Sequence, residues 1–179
     1  MSKPEIPNPG KLVLSVLSSK WEFFCDRLQN TLAREFGAID YQSPFIPFTE
    51  TTYYDRELGK PISRQILAFE PLVEQNGLPE IKLLTNQWEK DYSRDGCRIF
   101  NLDPGLLTLE RLVLATGKNF SHRVYLGQGI WADLTLIYAR GDWMDLPWTF
   151  PDYAAEKTKT HLRAIREIYR RQLKNKTRT

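Results

Sequence analysis

The fold is decided by three consecutive segments, which read NLDPGLLTLERLVLATG (residues 101–117), SHRVYLGQGIWADLTLIYARGDWMDL (121–146) and PWTFPDY (147–153). The first segment predicts a strand that ends at Leu102 and a helix from Pro104 to Gly117, because aspartate followed by proline is a typical helix start. The second segment predicts two consecutive β-hairpins. The third contains two prolines and predicts a loop that leads into a final helix.

Glycine-bounded turns set the register of the first hairpin. A three-residue loop over 127–129, in which a glycine supplies the left-handed residue, places Leu126 opposite Ile130. Because strand side chains alternate between two faces, this register separates an apolar face from a face of charges and aromatic rings. The cross-strand pairs that it predicts are Arg123 with Asp133 and Tyr125 with Trp131.

The same alternation assigns the neighbouring side chains to faces. A similar loop over 140–142 extends the meander, with Met144 on the apolar face and Trp143 on the polar face. His122 falls on the apolar face near a strand end. It is therefore interpreted as a histidine at the edge of the core and not as a catalytic base.

Outside this block the pattern predicts one further central strand and several helices. KLVLSVL (11–17) is apolar on both faces, which is typical of a strand that is covered on both sides. Helical spacing or helix-start signals predict helices over 19–36, 61–69, 79–93 and 153–173. On the third of these, Lys82, Asn86 and Glu89 are expected to face solvent.

These elements together predict an α+β protein. We expect a single domain over 1–179 with a mixed, mainly antiparallel sheet, a C-terminal hairpin meander and helices packed chiefly on one face. Residues 1–10 contain three prolines and a glycine and are expected to form an extended arm. The basic residues 174–179 are expected to fray.

Composition excludes several classes of protein. The chain has 179 residues, of which 41% are hydrophobic and 26% charged, as is ordinary for one globular domain. Its longest apolar run, 12–17, is far too short to cross a membrane, and no signal-peptide pattern is present at the N-terminus, so a cytoplasmic location is predicted. Two cysteines and two histidines are too few for a metal site, and the sequence identifies neither a cofactor nor an oligomeric state.

The polar face of the meander is the candidate site. A guanidinium there would bind a phosphate or carboxylate, and an aromatic ring would stack on a planar group. This interpretation predicts a small anionic ligand, such as a nucleotide or phosphorylated metabolite. It leaves open whether catalysis accompanies binding and assigns no catalytic residue. The alternatives are structural: a helix cap for Asp103 and a cross-strand ion pair for Arg123. The candidate binding residues are Asp103, Lys118, Arg123, Tyr125, Trp131 and Asp133.

A second hypothesis follows from the distribution of charge. Residues 154–179 contain nine Lys/Arg and two Glu, a net charge of +7, whereas the whole chain has +3. A basic stripe on the final helix next to exposed aromatic rings is typical of RNA binding. The stripe comprises Arg163, Arg166, Arg170 and Lys174, and the rings would be those of Tyr125, Trp131 and Trp143.

The segment NLDPGLLTLERLVLATGKNFSHRVYLGQGIWADLTL (101–136), followed by LPWTFPDY (146–153), resembles the central signature of an uncharacterised bacterial family, domain of unknown function 4416. Weaker similarity extends to KLVLSVLSS (11–19) and IKLLTNQWE (81–89). The resemblance implies GTP binding, a label that some members carry, and implies no catalytic residues. The Gly-Lys pairs at 59–60 and 117–118 lack the other positions of the phosphate-loop motif.

Overall fold

The computed structural model describes residues 2–176, apart from the side chains of residues 25 and 26, and its central feature is a nine-stranded sheet. In chain order the strands are β1 (Gly10–Ser18), β2 (Ile39–Gln42), β3 (Ile46–Pro47), β4 (Ser63–Val73), β5 (Asn101–Leu107), β6 (Arg111–Thr116), β7 (Arg123–Gly127), β8 (Ile130–Ala139) and β9 (Asp142–Asp145). Their spatial order is β2-β4-β1-β5-β6-β8-β7, with β3 also pairing with β4 and β9 with β8. Every pairing between these described strands is antiparallel.

Five α-helices accompany the sheet within the described residues. They are α1 (Gln29–Phe36), which continues a π-helical segment (Phe24–Leu28), α2 (Asp55–Leu58), α3 (Leu78–Asp91), α4 (Pro151–Ala154) and α5 (Glu156–Lys176). A 3-10 turn (Gln75–Gly77) precedes α3. The prediction of an α+β fold with a mainly antiparallel sheet and a C-terminal hairpin meander is confirmed. No helix within residues 2–176 combines the length and the apolar character that a bilayer crossing requires.

The helices cover both faces of the sheet. All nine residues of β1 are buried, as its apolar pattern predicts. On one face its alternate side chains Leu12, Leu14 and Val16 pack in the same core as residues of α1 and α3. On the other face Val13 shares a core with Leu162 of α5. The prediction that helices lie chiefly on one face is therefore wrong, because a central strand that is apolar on both sides needs a cover on each.

The segment 101–117 forms a β-hairpin and not a strand followed by a helix. β5 and β6 pair with Leu106 opposite Val113, and the backbone N–H of Thr108 donates to the carbonyl of Arg111 across the turn at 2.9 Å. Gly105 lies so close to β6 that a Cβ there would be 2.7 Å from the Val113 carbonyl oxygen. The leucine spacing fits both a helix and a strand, and pairing with β1 selects the strand.

A second predicted helix is also a strand. Residues 61–69 do not form a helix. They contain all the buried residues of β4, which are 64–69, and this strand pairs with β1 on one side and β2 on the other. The run Ile66–Phe69 is almost completely buried in this central position. The predicted helix over 79–93 is confirmed as α3. The final helix is confirmed with a break at Ala155, and its stripe of Thr158, Leu162, Ile165 and Tyr169 is buried.

At the ends of the chain, residues 2–9 form no helix or strand, and α5 continues through Lys176. The fraying expected for 174–179 stays a prediction, and residues 177–179 lie outside the described residues.

The β7–β8 hairpin has the predicted pairs but a shorter loop. Arg123 pairs with Asp133 and Tyr125 with Trp131, and both pairs are confirmed. The predicted three-residue loop is wrong, because Gly127 pairs with Ile130 and a bulge at Leu126 takes up the extra residue. Gln128 and Gly129 form the two-residue loop with φ of 55° and 78°, the left-handed values that a tight hairpin turn requires.

Three side chains of the meander lie opposite to their predicted faces. Trp143 is only 2% exposed and belongs to the core beneath α5, whereas Met144 is exposed. The side chain of His122 is close to the carboxylate of Asp133 and does not lie on the opposite face. The rule of alternation fails for His122 because β7 begins at Arg123 and residues 121–122 form a turn.

Candidate ligand-binding cavity

A cavity of about 780 Å³ opens where β5 and β6 diverge. The last cross-strand pair between them is Gly105 with Leu114. Beyond it the cavity is bordered by Asn101 and Asp103 from β5 and by residues 114–118 from β6 and the turn after it. The segments 48–54 and 150–153, together with α3, complete the wall. The volume is in the range of small-molecule sites in proteins.

Two polar side chains of α3 replace the missing strand partner of β5. Lys82 Nζ donates to the Leu102 carbonyl at 2.8 Å, and Glu89 Oε1 accepts from the Leu102 N–H. The prediction that Lys82 and Glu89 face solvent is therefore wrong, since both are buried. The sequence signal for this burial was a stripe of polar side chains at 82, 85, 86 and 89, next to the apolar stripe of α3. Burial, which outweighs its cationic neighbours, raises the pKa of Glu89.

Four of the six predicted binding residues line this cavity: Asp103, Lys118, Arg123 and Asp133. Asp103 does not cap a helix; it lies within β5 and accepts from Lys82 Nζ at 3.3 Å. Tyr125 and Trp131 are not among the lining residues. Their rings contact each other at the β7–β8 hairpin, with centroids 5.0 Å apart, and the Tyr125 hydroxyl accepts from the Gly129 N–H.

Asp133 is the centre of a hydrogen-bond network on the β8 side of the cavity. Its Oδ2 accepts from Arg123 Nε at 2.9 Å and lies 3.2 Å from His122 Nε2. Arg123 also donates from Nη1 to the Lys118 carbonyl at 2.8 Å, which fixes the turn after β6. The imidazole of His122 stacks on Trp148, with centroids 5.0 Å apart and planes inclined by 9°. This network holds Arg123 in one orientation at the cavity wall.

Arg64 is a buried cation of the cavity wall that the sequence analysis missed. It belongs to β4, is only 3% exposed and donates from Nη2 to the carboxylate of Asp152. Its guanidinium lies between the rings of Phe48 and Tyr153, whose centroids are 5.2 and 4.7 Å away. Nε and Nη1 have no hydrogen-bond partner within the described part of the chain. The only sequence signal was an arginine just before the apolar run Ile66–Phe69.

Arg98 ties the cavity wall together. It donates from Nε and Nη2 to the two carboxylate oxygens of Glu57 at 2.6 and 2.7 Å. From Nη1 it donates to Glu89 at 2.8 Å and to Asn101 at 2.9 Å. α2, α3 and the start of β5 are thereby connected through one guanidinium, whose donors are engaged by the protein itself.

Lys118 differs from the other cations of the cavity. Its Nζ donates to the Tyr53 hydroxyl at 3.3 Å and lies 5.2 Å from the centroid of that ring. It makes no ion pair with any side chain that the structure describes. Five basic and five acidic side chains line the cavity, so its formal charge is balanced. The unneutralised ammonium of Lys118 therefore marks the side at which an anion is favoured.

The basic stripe of α5 is largely engaged by neighbouring groups. Arg163 pairs with Asp142 and Glu156, and Arg170 pairs with Glu167. Arg166 donates to the Leu109 carbonyl at 3.0 Å. A charged stripe in the sequence thus becomes a set of short-range pairs once the sheet and helix pack together.

Among the described side chains, no group of three or more His, Cys, Asp or Glu lies close enough together to hold a metal ion. The fold and the site together define an α+β protein with a polar, aromatic-lined cavity between two diverging strands. The chain belongs to the family described as domain of unknown function 4416, whose sequence profile matches residues 8–169. No curated protein and no solved structure shows significant similarity to the chain.

Proposed function

We propose that the cavity binds a small anionic ligand, a nucleotide or another phosphorylated metabolite. The observation that supports this proposal is the spare donor capacity of Arg64 and Lys118. Both line the same cavity, Arg64 keeps two nitrogens without a partner and Lys118 keeps its charge without a carboxylate within the described residues. Hydrogen bonds between such cations and phosphate oxygens are about twice as strong as neutral ones.

The other cations of the wall are suited to positioning and not to primary binding. Lys82, Arg98 and Arg123 each pair with a carboxylate of the protein. Arg64 also pairs with a carboxylate, that of Asp152, but through Nη2 alone, so that Nε and Nη1 keep their donor capacity. A ligand that took over one of these carboxylate contacts would leave a charge without its partner, which is unfavourable in a partly buried site. An anion at Lys118 displaces no ion pair.

Binding can be measured by thermal shift and calorimetry with a panel of nucleotides and phosphorylated metabolites. At least one member should stabilise the protein, and Lys118→Met should weaken its binding about ten-fold or more, because a charge-assisted hydrogen bond is lost. Lys90→Met is the matched control, since Lys90 is exposed on α3 and does not line the cavity. No stabilisation by any member, together with identical behaviour of both variants, would refute the proposal.

RNA binding through the α5 stripe is the alternative hypothesis, and it has less support. Trp143 is buried and therefore offers no face for stacking, and Arg163 and Arg170 already pair with acidic side chains. If RNA does bind here, replacing Arg163, Arg166 and Arg170 with glutamine should weaken binding and flatten its salt dependence. An intact protein that retains no RNA at low salt would exclude this alternative.

The cytoplasmic location stays a prediction. Fractionation of cells that produce the full chain, followed by detection of the protein in each fraction, would check it.

A further inference from the structure

From the composition of the cavity wall we infer that the ligand combines a flat nitrogen heterocycle with a single phosphate, as a nucleoside monophosphate does. The inference rests on the proposed function and narrows it in three respects: the ring, the groups at its edge and the number of phosphates.

Two partly exposed aromatic rings line the cavity. The side chains of Tyr53 and Phe150 are 67% and 49% exposed, so part of each ring is left uncovered by the protein. The Tyr53 ring makes a T-shaped contact with Tyr54, with centroids 5.0 Å apart and planes at 90°, and Lys118 Nζ lies 5.2 Å from its centroid, so its position is fixed by two neighbours. Ring faces of this kind favour a planar ligand, because stacking buries apolar area without needing a polar partner.

The edge of such a ring would meet polar side chains of the cavity wall. The half-buried Asn86 lines the cavity, and its side-chain amide has no hydrogen-bond partner among the described residues. An amide offers donors and an acceptor together. The carboxylate of Asp103 also lines the cavity; it accepts from Lys82 and Asn101, and at 30% exposure it can accept from a further donor. A ring with both N–H groups and ring nitrogens or carbonyls satisfies the amide of Asn86, whereas a plain hydrocarbon ring leaves it unpaired.

The charged side chains of the cavity wall limit the number of phosphates that the ligand carries. Because the five cations and five acids of the wall balance, the cavity has no large positive excess for a polyphosphate. Among the cations of the cavity wall, Lys118 has a charge that no described carboxylate pairs with, whereas the charge of Arg64 is balanced by Asp152 and Arg64 supplies only N–H groups without a partner. The charge of Lys118 offsets at least half of that of one phosphate, about −1.5 to −2, and a much smaller share of that of three. Three consecutive phosphates would bring anionic oxygens close to the five carboxylates.

Calorimetry on the full chain tests the inference with four probes: ribonucleoside 5′-monophosphates, the matched nucleosides, ribose 5-phosphate and the matched triphosphates without metal. A monophosphate should bind about ten-fold more tightly than ribose 5-phosphate, since stacking of one base is lost in the latter. It should also bind more tightly than the nucleoside and the triphosphate.

Paired variants locate the binding site. Tyr53→Leu should weaken binding of the monophosphate about ten-fold, and it should weaken binding of ribose 5-phosphate less, because the sugar phosphate loses only the effect of the hydrogen bond between Lys118 and the Tyr53 hydroxyl. Tyr125→Leu is the matched control, because Tyr125 is similarly exposed, at 55%, but does not line the cavity. Loss of monophosphate binding in Tyr125→Leu but not in Tyr53→Leu would overturn the placement.

The outcomes separate the inference from the proposed function. If ribose 5-phosphate or the triphosphate binds as tightly as the monophosphate, the inference is wrong while anion binding stands. If none of the phosphorylated probes binds and none of the wider metabolite panel does either, both are wrong.

Discussion

Replacing Lys82 tests the side-chain contact that Leu102 of β5 makes in place of a pairing with β6. In Lys82→Met the ammonium that donates to the Leu102 carbonyl at 2.8 Å is lost, while the apolar stem is approximately retained. Leu102 is fully buried, so its carbonyl is left without a partner at a cost of about 1–3 kcal/mol. The lower value applies if water from the cavity replaces the ammonium. Because unfolding of a chain of this size shifts by about 2–4 °C per kcal/mol, Tm should fall by roughly 2–12 °C.

The effect is best measured by urea unfolding. Lys82→Met should lower the midpoint without changing the slope of the free energy of unfolding against urea, as expected for a loss of native-state stability alone. Lys90→Met on the exposed side of the same helix should stay within about 0.5 kcal/mol of the unsubstituted protein. Equal stability of the two variants would show that Lys82 does not hold the Leu102 carbonyl, and the explanation of the cavity would fail.

Three further predictions concern other parts of the fold. Burial raises the pKa of Glu89 above 4.5, so the folded protein binds a proton more readily than the unfolded chain, and this group's contribution to stability falls as pH rises from about 4.5 through the raised value. Glu89→Gln should remove that dependence in urea titrations across this pH window; an unchanged profile contradicts the explanation. Gly105→Ala should lower the free energy of unfolding by about 1–3 kcal/mol, measured by thermal unfolding, because its Cβ would lie 2.7 Å from the Val113 carbonyl oxygen. An unchanged free energy of unfolding would show that β6 can move away from the added methyl group at little cost. A hydrogen bond from Arg163 lowers the pKa of Asp142 to about 2; NMR titration should find it there and nearer 3.8 in Arg163→Ala, and the same value in both proteins would rule out the pairing.

Much of the candidate site was accessible from the sequence because it depends on local register. The pairing of Arg123 with Asp133 follows from the two-residue period of a strand and a glycine turn between the strands, and a bulge at Leu126 absorbed the error in loop length. His122 escaped the same rule because it lies in a turn. Local periodicity is informative only where the strand actually extends.

The residues of the site that lie on α3 and β4 could not be predicted from local register. Lys82 and Glu89 have the spacing of a solvated helix face, and nothing in their neighbours along the chain shows that a strand edge lies opposite them. Arg64 precedes an apolar run that was interpreted as helical, and its contacts with Asp152 and Phe48 join segments far apart in sequence.

By itself the sequence determined that β1 is a strand buried on both sides, that α3 and α5 are helices and that residues 123–133 form a hairpin with a defined register. Each of these depends on side-chain periodicity over neighbouring residues, which burial converts directly into structure. Only the tertiary structure decided that 101–117 is a hairpin, since its leucines satisfy either period and pairing with β1 selects one. The cavity was decided in the same way: its charges converge because two strands separate, and that separation is a property of the assembled sheet.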